Sequence, residues 1–341
     1  MSPAPMRLAL TLGDCAGIGP ELVLHALNSP DLSAVCQLCV YGNRQLLERV
    51  AVSSGIHLPE TVVVLPPERI SEAPRDRHIL LDFPFDAAAT LIPGSVQATC
   101  GAMAFTWICA AVRDIQRGDA HALVTAPISK EALHLAGVNF PGHTEILAHL
   151  TSSPDPCMAF YSTGLIISLA TIHEALSDVP RLLSVPTLLS TIRLTHAACL
   201  GFGLPAPRIG VLALNPHAGE HGLFGAEEAT VIVPAINQAK AEGIAAAGPL
   251  VPDTAFTWLG RHPAKPPFDA YVAMYHDQGL IPFKMVAFDT GVNVTLGLPL
   301  IRTSPDHGTA FNLAWQGKAS PSSLFSAITL AAHMARTKQG R

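Results

Sequence analysis

Arg7-Leu-Ala-Leu-Thr-Leu-Gly-Asp-Cys-Ala-Gly-Ile-Gly-Pro-Glu21 decides the fold class. Arg7–Leu12 is short and largely apolar, so it reads as a buried strand. A glycine-rich turn follows, and Pro20 suits the first turn of a helix that runs to about Asn28. The same alternation recurs downstream. Strands are expected at Gln37–Tyr41, Thr61–Leu65, Ile79–Leu81 and Ala122–Val124, with helices over Val96–Gln116 and Lys130–Ala136. Further on, helices at His143–Leu150, Thr187–Gly201 and Ala226–Glu242 lie among strands at Met158–Tyr161, Leu165–Thr171, Arg208–Leu214, Tyr271–Met274 and Val292–Leu296. A last helix covers Ser322–Arg336, while Gly203–Pro207 and His262–Pro267 read as loops. Such alternation predicts an α/β protein with a mostly parallel sheet and helices on both faces.

Composition narrows the function classes. A length of 341 residues suggests two domains or one large one, with a boundary plausible near Gly137–Gly142. Hydrophobic residues make up 49% and charged residues 14%, which is ample for a core and too little charge for disorder. The net charge of −5 provides no global field for nucleic acid or an anionic membrane. An anionic substrate must therefore be held by local Lys and Arg. No apolar run reaches the roughly 18–20 residues that span a bilayer. No signal-peptide core precedes Leu8, so a cytoplasmic location is expected. The seven scattered cysteines suggest reduced thiols. Cys36 and Cys39 have the CxxC form but sit in a strand pattern, where residues three apart face opposite ways.

Three apolar runs each lead into a histidine: Gly164–Ile172 into His173, Arg208–Pro216 into His217, and Asp269–Tyr275 into His276. Open α/β sheets bind ligands beyond the carboxyl ends of their strands. Three imidazoles delivered there could hold one divalent metal with positions left for substrate, or be three unrelated strand ends. Pro141-Gly-His143-Thr144-Glu145 places an imidazole and a hydroxyl at a helix start, suited either to an anion or to a simple cap. Asp277 can orient the His276 ring or handle a proton. Lys284, Asn293 and Arg302 form a cationic, hydrogen-bonding set that suits phosphate or carboxylate, or else make surface salt bridges. Gly308, within Ser304–Ala310, permits close approach of a nucleotide. Gly13–Glu21 matches neither GxGxxG nor a P-loop, though Asp14 could line a site.

Taken together, these segments resemble the 4-hydroxythreonine-4-phosphate dehydrogenase family. The matching blocks are Gly13–Glu21, Thr125–Ala132, Phe140–Glu145, Asn215–Glu220, Tyr275–Leu280, Gly291–Pro299 and Arg302–Ala310, spread over nearly the whole chain. The resemblance implies an α/β, two-domain isocitrate/isopropylmalate dehydrogenase-like fold with mostly parallel sheets and an interdomain cleft. Residues 1–136 and 299–341 would form the cofactor-side domain. Residues 137–298 would form the second, with the metal ligands and the substrate and dimer contacts.

The implied reaction is oxidation of 4-phosphohydroxy-L-threonine to 2-amino-3-oxo-4-phosphooxybutanoate, which decarboxylates to 3-amino-2-oxopropyl phosphate in pyridoxal 5'-phosphate biosynthesis. It uses NAD or NADP and one divalent metal per site, Zn, Co or Mg, in a homodimer with shared active sites. The family's metal ligands fall on His173, His217 and His276. Its substrate-binding residues fall on His143, Thr144, Asp253, Lys284, Asn293 and Arg302. Asp277 and Lys284 are both candidate bases, and the nucleotide is expected at His307, Gly308, Thr309 and Ala310. Cys15 stands where proline is usual, and Glu174-Ala175 replace an apolar residue followed by proline. Those departures keep a relative acting on 4-phospho-D-threonate, D-erythronate or a cyclic dihydrodiol in view. A three-His metallohydrolase, working without NAD, and a non-catalytic phosphate-binding protein are the rivals from other classes.

Overall fold

The structure is a computed structural model that describes residues 5–261 and 266–340, so residues 262–265 of the expected loop His262–Pro267 lie outside it. The described strands are β1 (Met6–Thr11), β2 (Cys36–Gly42), β3 (Val63–Leu65), β4 (Ile79–Asp82), β5 (Ala122–Thr125), β6 (Cys157–Ser162), β7 (Leu165–Leu169), β8 (Ile209–Leu212), β9 (Ala246–Leu250), β10 (Ala270–Ala273), β11 (Val292–Leu296) and β12 (Arg302–Pro305). The chain divides into two compact units, Met1–Asp155 with Leu298–Arg341, and Pro156–Gly297. The first division falls at 155/156 rather than at 136/137. Helix His143–Thr151 packs against helix Ala98–Gln116 and so stays with the first unit.

The first unit holds the strand order β3-β4-β2-β1-β5-β12, every neighbouring pair parallel. Helices Ala98–Gln116 and Ser322–Lys338 both pack on β1 and β5. β1 is therefore buried along its whole length, which is why it reads as a continuous apolar run.

The second unit has the order β11-β6-β7-β10-β8-β9. β7, β10, β8 and β9 run parallel, whereas β6 is antiparallel to both β7 and β11. The tight β6–β7 connection forces that reversal, with Gly164 at φ 88°. Side chains alternate across the sheet. Ile209, Val211 and Val272 join one apolar cluster, while Leu212, Tyr271 and Ala273 join the other with Phe283.

Several elements differ from expectation. β7 ends at Leu169 and β8 at Leu212, so His173 and His217 lie in irregular chain beyond the strands. His276 instead opens a helix, His276–Ala287, that Gly279 and Pro282 had concealed. Gly279 is required there, because a Cβ would lie 2.8 Å from Ile167 Cγ2 and 2.9 Å from Leu169 Cδ2. The expected helix Ala226–Glu242 is a π-turn, Glu228–Ile232, followed by helix Val233–Ala241. β9 was hidden by Gly248-Pro249, a pair that reads as a turn; as an edge strand it tolerates the proline. Ser304–Ala310 leads only into a single 3-10 turn, Phe311–Leu313.

Candidate active site

In the first unit, β5 ends at Thr125 and β12 begins at Arg302, side by side. The Arg302 guanidinium donates through Nε and Nη2 to Thr125 Oγ1 at 3.2 and 2.8 Å. Arg302 is 3% exposed. Burial pushes it down to about 9, against the opposing effect of Glu145, so it stays cationic at neutral pH. His143 is the first residue of helix His143–Thr151. Burial, aided by the Arg302 charge, holds its pKa well below the usual value, so the imidazole is neutral. Its Nε2 is enclosed without a hydrogen-bond partner.

Thr144 is buried, and no side chain caps this helix, which sets aside the capping reading of Thr144. A buried cation, a neutral imidazole and uncapped backbone N–H groups at a helix start together suit a phosphoryl or carboxylate group.

Asp14 lies in the first motif of the same unit and is fully buried. Oδ1 accepts from the Ala16 N–H at 2.9 Å, while Oδ2 has no partner. Burial raises its pKa from the usual 3.8 to about 6. The folded state thus holds the proton more tightly than the unfolded chain, and stability falls as pH rises from about 4 through 6. Asp14→Asn keeps the acceptor and never ionises. It should raise stability at pH 7.5 by up to about 3 kcal/mol and leave it unchanged near pH 4. Thermal melts at both pH values check this, and an equal gap at the two would contradict it.

The 307–310 segment docks on this first motif, with the Ile18 N–H donating to Thr309 O at 3.0 Å. A Cβ at Gly17 would lie 2.9 Å from that oxygen, so the contact requires glycine. His307 and Gly308 are exposed, and the space beside Gly308 is open. Cys15 is buried, its carbonyl accepting from Trp315 Nε1 at 3.1 Å.

In the second unit, the His173 and His276 rings lie 5.8 Å apart between centroids. Both line a pocket of about 260 Å³ together with Glu174, Leu176 and Asp277. His276 Nδ1 is 2.7 Å from Asp277 Oδ1. That pairing orients the ring as a metal-bound imidazole usually is. His217 stands apart on the turn 217–221, where five consecutive residues have φ between 42° and 78°. Only Gly219 suits that region. The four others cost about 1–2 kcal/mol each.

Among the described residues of one chain, no group of three His, Cys, Asp or Glu is placed to hold a metal. The expected triad is therefore brought together only as the pair His173 and His276. Asp253 is exposed on the short helix Pro252–Ala255, which packs against the turn 216–222. Lys284 Nζ lies 5.9 Å from the Phe288 ring centroid, and Asn293 is half-buried in β11.

Thr125 and Asn215, which head two of the matching blocks, were given no role from sequence, and Glu227 and Glu228 were missed altogether. Thr125 carried a faint signal as a polar end to an apolar strand. Glu228 carried none, since a glutamate in a helical pattern reads as solvated.

The sequence profile described as pyridoxal phosphate biosynthetic protein PdxA matches residues 34–331. The chain is 44% identical over 338 residues to a 4-hydroxythreonine-4-phosphate dehydrogenase of Trichlorobacter lovleyi, covering 99% of both chains. It is 43% identical over 331 residues to a D-threonate 4-phosphate dehydrogenase of Salmonella typhimurium, covering 96% of this chain and 98% of the other. A crystal structure of 4-hydroxythreonine-4-phosphate dehydrogenase from Klebsiella pneumoniae superimposes with a TM-score of 0.85 at 41% identity, covering 97% and 99%. No helix among the described residues is long and apolar enough to cross a membrane.

Proposed function

The chain belongs to the PdxA family of pyridoxal phosphate biosynthetic proteins, and on that premise we propose that it oxidises the carbinol of a phosphorylated hydroxy amino acid, 4-phosphohydroxy-L-threonine. The product, 2-amino-3-oxo-4-phosphooxybutanoate, is a β-keto acid that loses carbon dioxide to give 3-amino-2-oxopropyl phosphate. The observation that carries this reading is the buried Arg302 beside neutral His143 at an uncapped helix start. Arg302, His143 and Thr144 would hold an anionic end of the substrate there, and Lys284, Asn293 and Asp253 are the residues that the family resemblance proposes for its remaining polar groups.

His173, His217 and His276 would hold a divalent ion. The donor chemistry of the His173–His276 pocket fits, since Asp277 takes one nitrogen of His276 and leaves the other for a ligand. When bound, the metal supplies Lewis acidity at the hydroxyl and NAD or NADP accepts the hydride. A chain side chain takes the hydroxyl proton, and Asp277 and Lys284 are the candidates.

A homodimer with shared sites would complete the ligand set, of which His173 and His276 form a pair among the described residues of one chain. Its support is the apolar stripe Ile281, Met285 and Phe288, exposed by 61, 81 and 73% along the helix that begins with His276 and just past its end. We place the enzyme in the cytoplasm, where phosphorylated intermediates and dinucleotide are at hand.

A second reading within the family is favoured by one observation. Glu174, which departs from the family pattern, lines the His173–His276 pocket. A changed charge beside a metal ligand suits another substrate, such as 4-phospho-D-threonate or D-erythronate.

The test is reduction of NAD and NADP by purified protein with 4-phosphohydroxy-L-threonine and these deaminated analogues, before and after chelation. Substrate-dependent NADH formation that chelation stops and Zn, Co or Mg restores is expected. Turnover without dinucleotide would favour a metallohydrolase. Phosphate binding without any turnover would leave only a binding protein.

A further inference from the structure

We propose that Glu228 is a positioning residue, whose buried carboxylate clamps the chain entering the left-handed turn 217–221 and so fixes the place from which His217 serves as a ligand. The inference rests on the reading of His217 as a metal ligand.

The carboxylate is 6% exposed and makes three hydrogen bonds. Oε1 accepts from the Leu214 N–H at 2.9 Å and the Asn215 N–H at 2.8 Å. Oε2 accepts from Asn215 Nδ2 at 3.0 Å, and Glu227 Oε2 accepts from the same amide nitrogen at 2.7 Å. These donors lie at the entry to the turn, immediately before Pro216 and His217. The middle of the turn packs against the same group, because a Cβ at Gly219 would come 2.7 Å from Glu228 Oε2. Gly225 is equally constrained, its would-be Cβ lying 2.5 Å from both Asn215 Nδ2 and Glu227 Oε2.

The chain thus wraps around one carboxylate from β8 to the π-turn Glu228–Ile232, whose first residue supplies it. π-turns inside helices are frequent at functional sites. Four non-glycine residues in the left-handed region do not hold that shape unaided. Such strain persists only where the surroundings over-determine it. Charge-assisted bonds to two backbone N–H groups and one side-chain amide are that surrounding. The bond network therefore has a purpose beyond loop closure: it keeps an exposed imidazole at the start of a strained turn in one position.

The measurement is Co²⁺ affinity of the chelator-stripped full-length protein, by competition with a chromophoric chelator, alongside its thermal midpoint without metal. His217→Ala is the control for the underlying reading and should weaken Co²⁺ binding by about a hundredfold or more. Glu228→Gln keeps the shape but loses the charge. It should weaken Co²⁺ binding by about 10–100-fold with a metal-free midpoint near that of the parent, the range typical of groups that orient a ligand. If Glu228→Gln lowers the midpoint markedly, Asn215→Ala carries the comparison, removing the two side-chain bonds to Glu227 and Glu228 but keeping both backbone bonds, and should give a smaller loss of the same sign. Parental Co²⁺ affinity in the folded Glu228 or Asn215 variant, with His217→Ala weakened, overturns the clamp. Parental affinity in His217→Ala overturns the reading beneath it instead.

Discussion

His276→Ala is expected to lower kcat/KM by about a thousandfold or more, the largest effect of any single change in the second unit. His276 combines three roles suggested by its surroundings. It faces His173 across the pocket, it is held by Asp277, and it opens the helix that bears the exposed apolar stripe. A loss of that size corresponds to about 4 kcal/mol of transition-state stabilisation, within the reach of a metal acting on a developing alkoxide. The proposed shared-site dimer adds a second expectation. His276→Ala and His217→Ala should each be inactive alone. Mixed and refolded together, they should regain part of the parental rate, because a heterodimer can hold one site with every ligand intact. Inactive mixtures whose heterodimers are demonstrated by mass would reject the shared site. Full activity in His276→Ala would reject the metal mechanism itself.

Arg302→Met should separate activity from stability. The guanidinium is buried, with the neutral Thr125 hydroxyl among its hydrogen-bonded partners, and its desolvation is what lowers its pKa. Replacing a desolvated charge with an apolar side chain of similar length is often neutral or stabilising. The midpoint of thermal unfolding should therefore hold or rise. The Michaelis constant for a phosphorylated substrate should nevertheless rise about a hundredfold, close to 2.7 kcal/mol, since a charge-assisted bond to an anion is lost. An unphosphorylated analogue of the substrate should lose far less. Equal losses for both would move Arg302 away from the phosphate, and a collapse in stability would make its role structural.

The strands and helices that strand–turn–helix alternation made legible were those with long, one-sided or fully buried apolar patterns. β1, β5, helix Ala98–Gln116 and helix Ser322–Lys338 belong to this class. Two of the misread elements, helix His276–Ala287 and β9, carried residues whose intrinsic preference opposed their environment. Gly279 and Pro282 look like helix breakers, yet close packing of Gly279 on β7 and β10 secures that helix. The site was legible in the same uneven way. His143 and Arg302 announced themselves by residue type and neighbourhood, and the fold brings them together. Thr125 did not, because its partner lies far along the chain and only the β5–β12 pairing joins them.

By itself, the sequence determined the alternating α/β class and the family, and it nominated the imidazoles, cations and acids proposed to carry the chemistry, because apolar periodicity and residue type are local properties. The tertiary structure decided what those groups experience. It set the neutrality of His143, the desolvation of Arg302, the separation of His217 from the His173–His276 pair, and the clamp on its turn at Glu228. Burial and hydrogen bonding between residues distant in the chain exist only once the elements are packed, so no local pattern can report them.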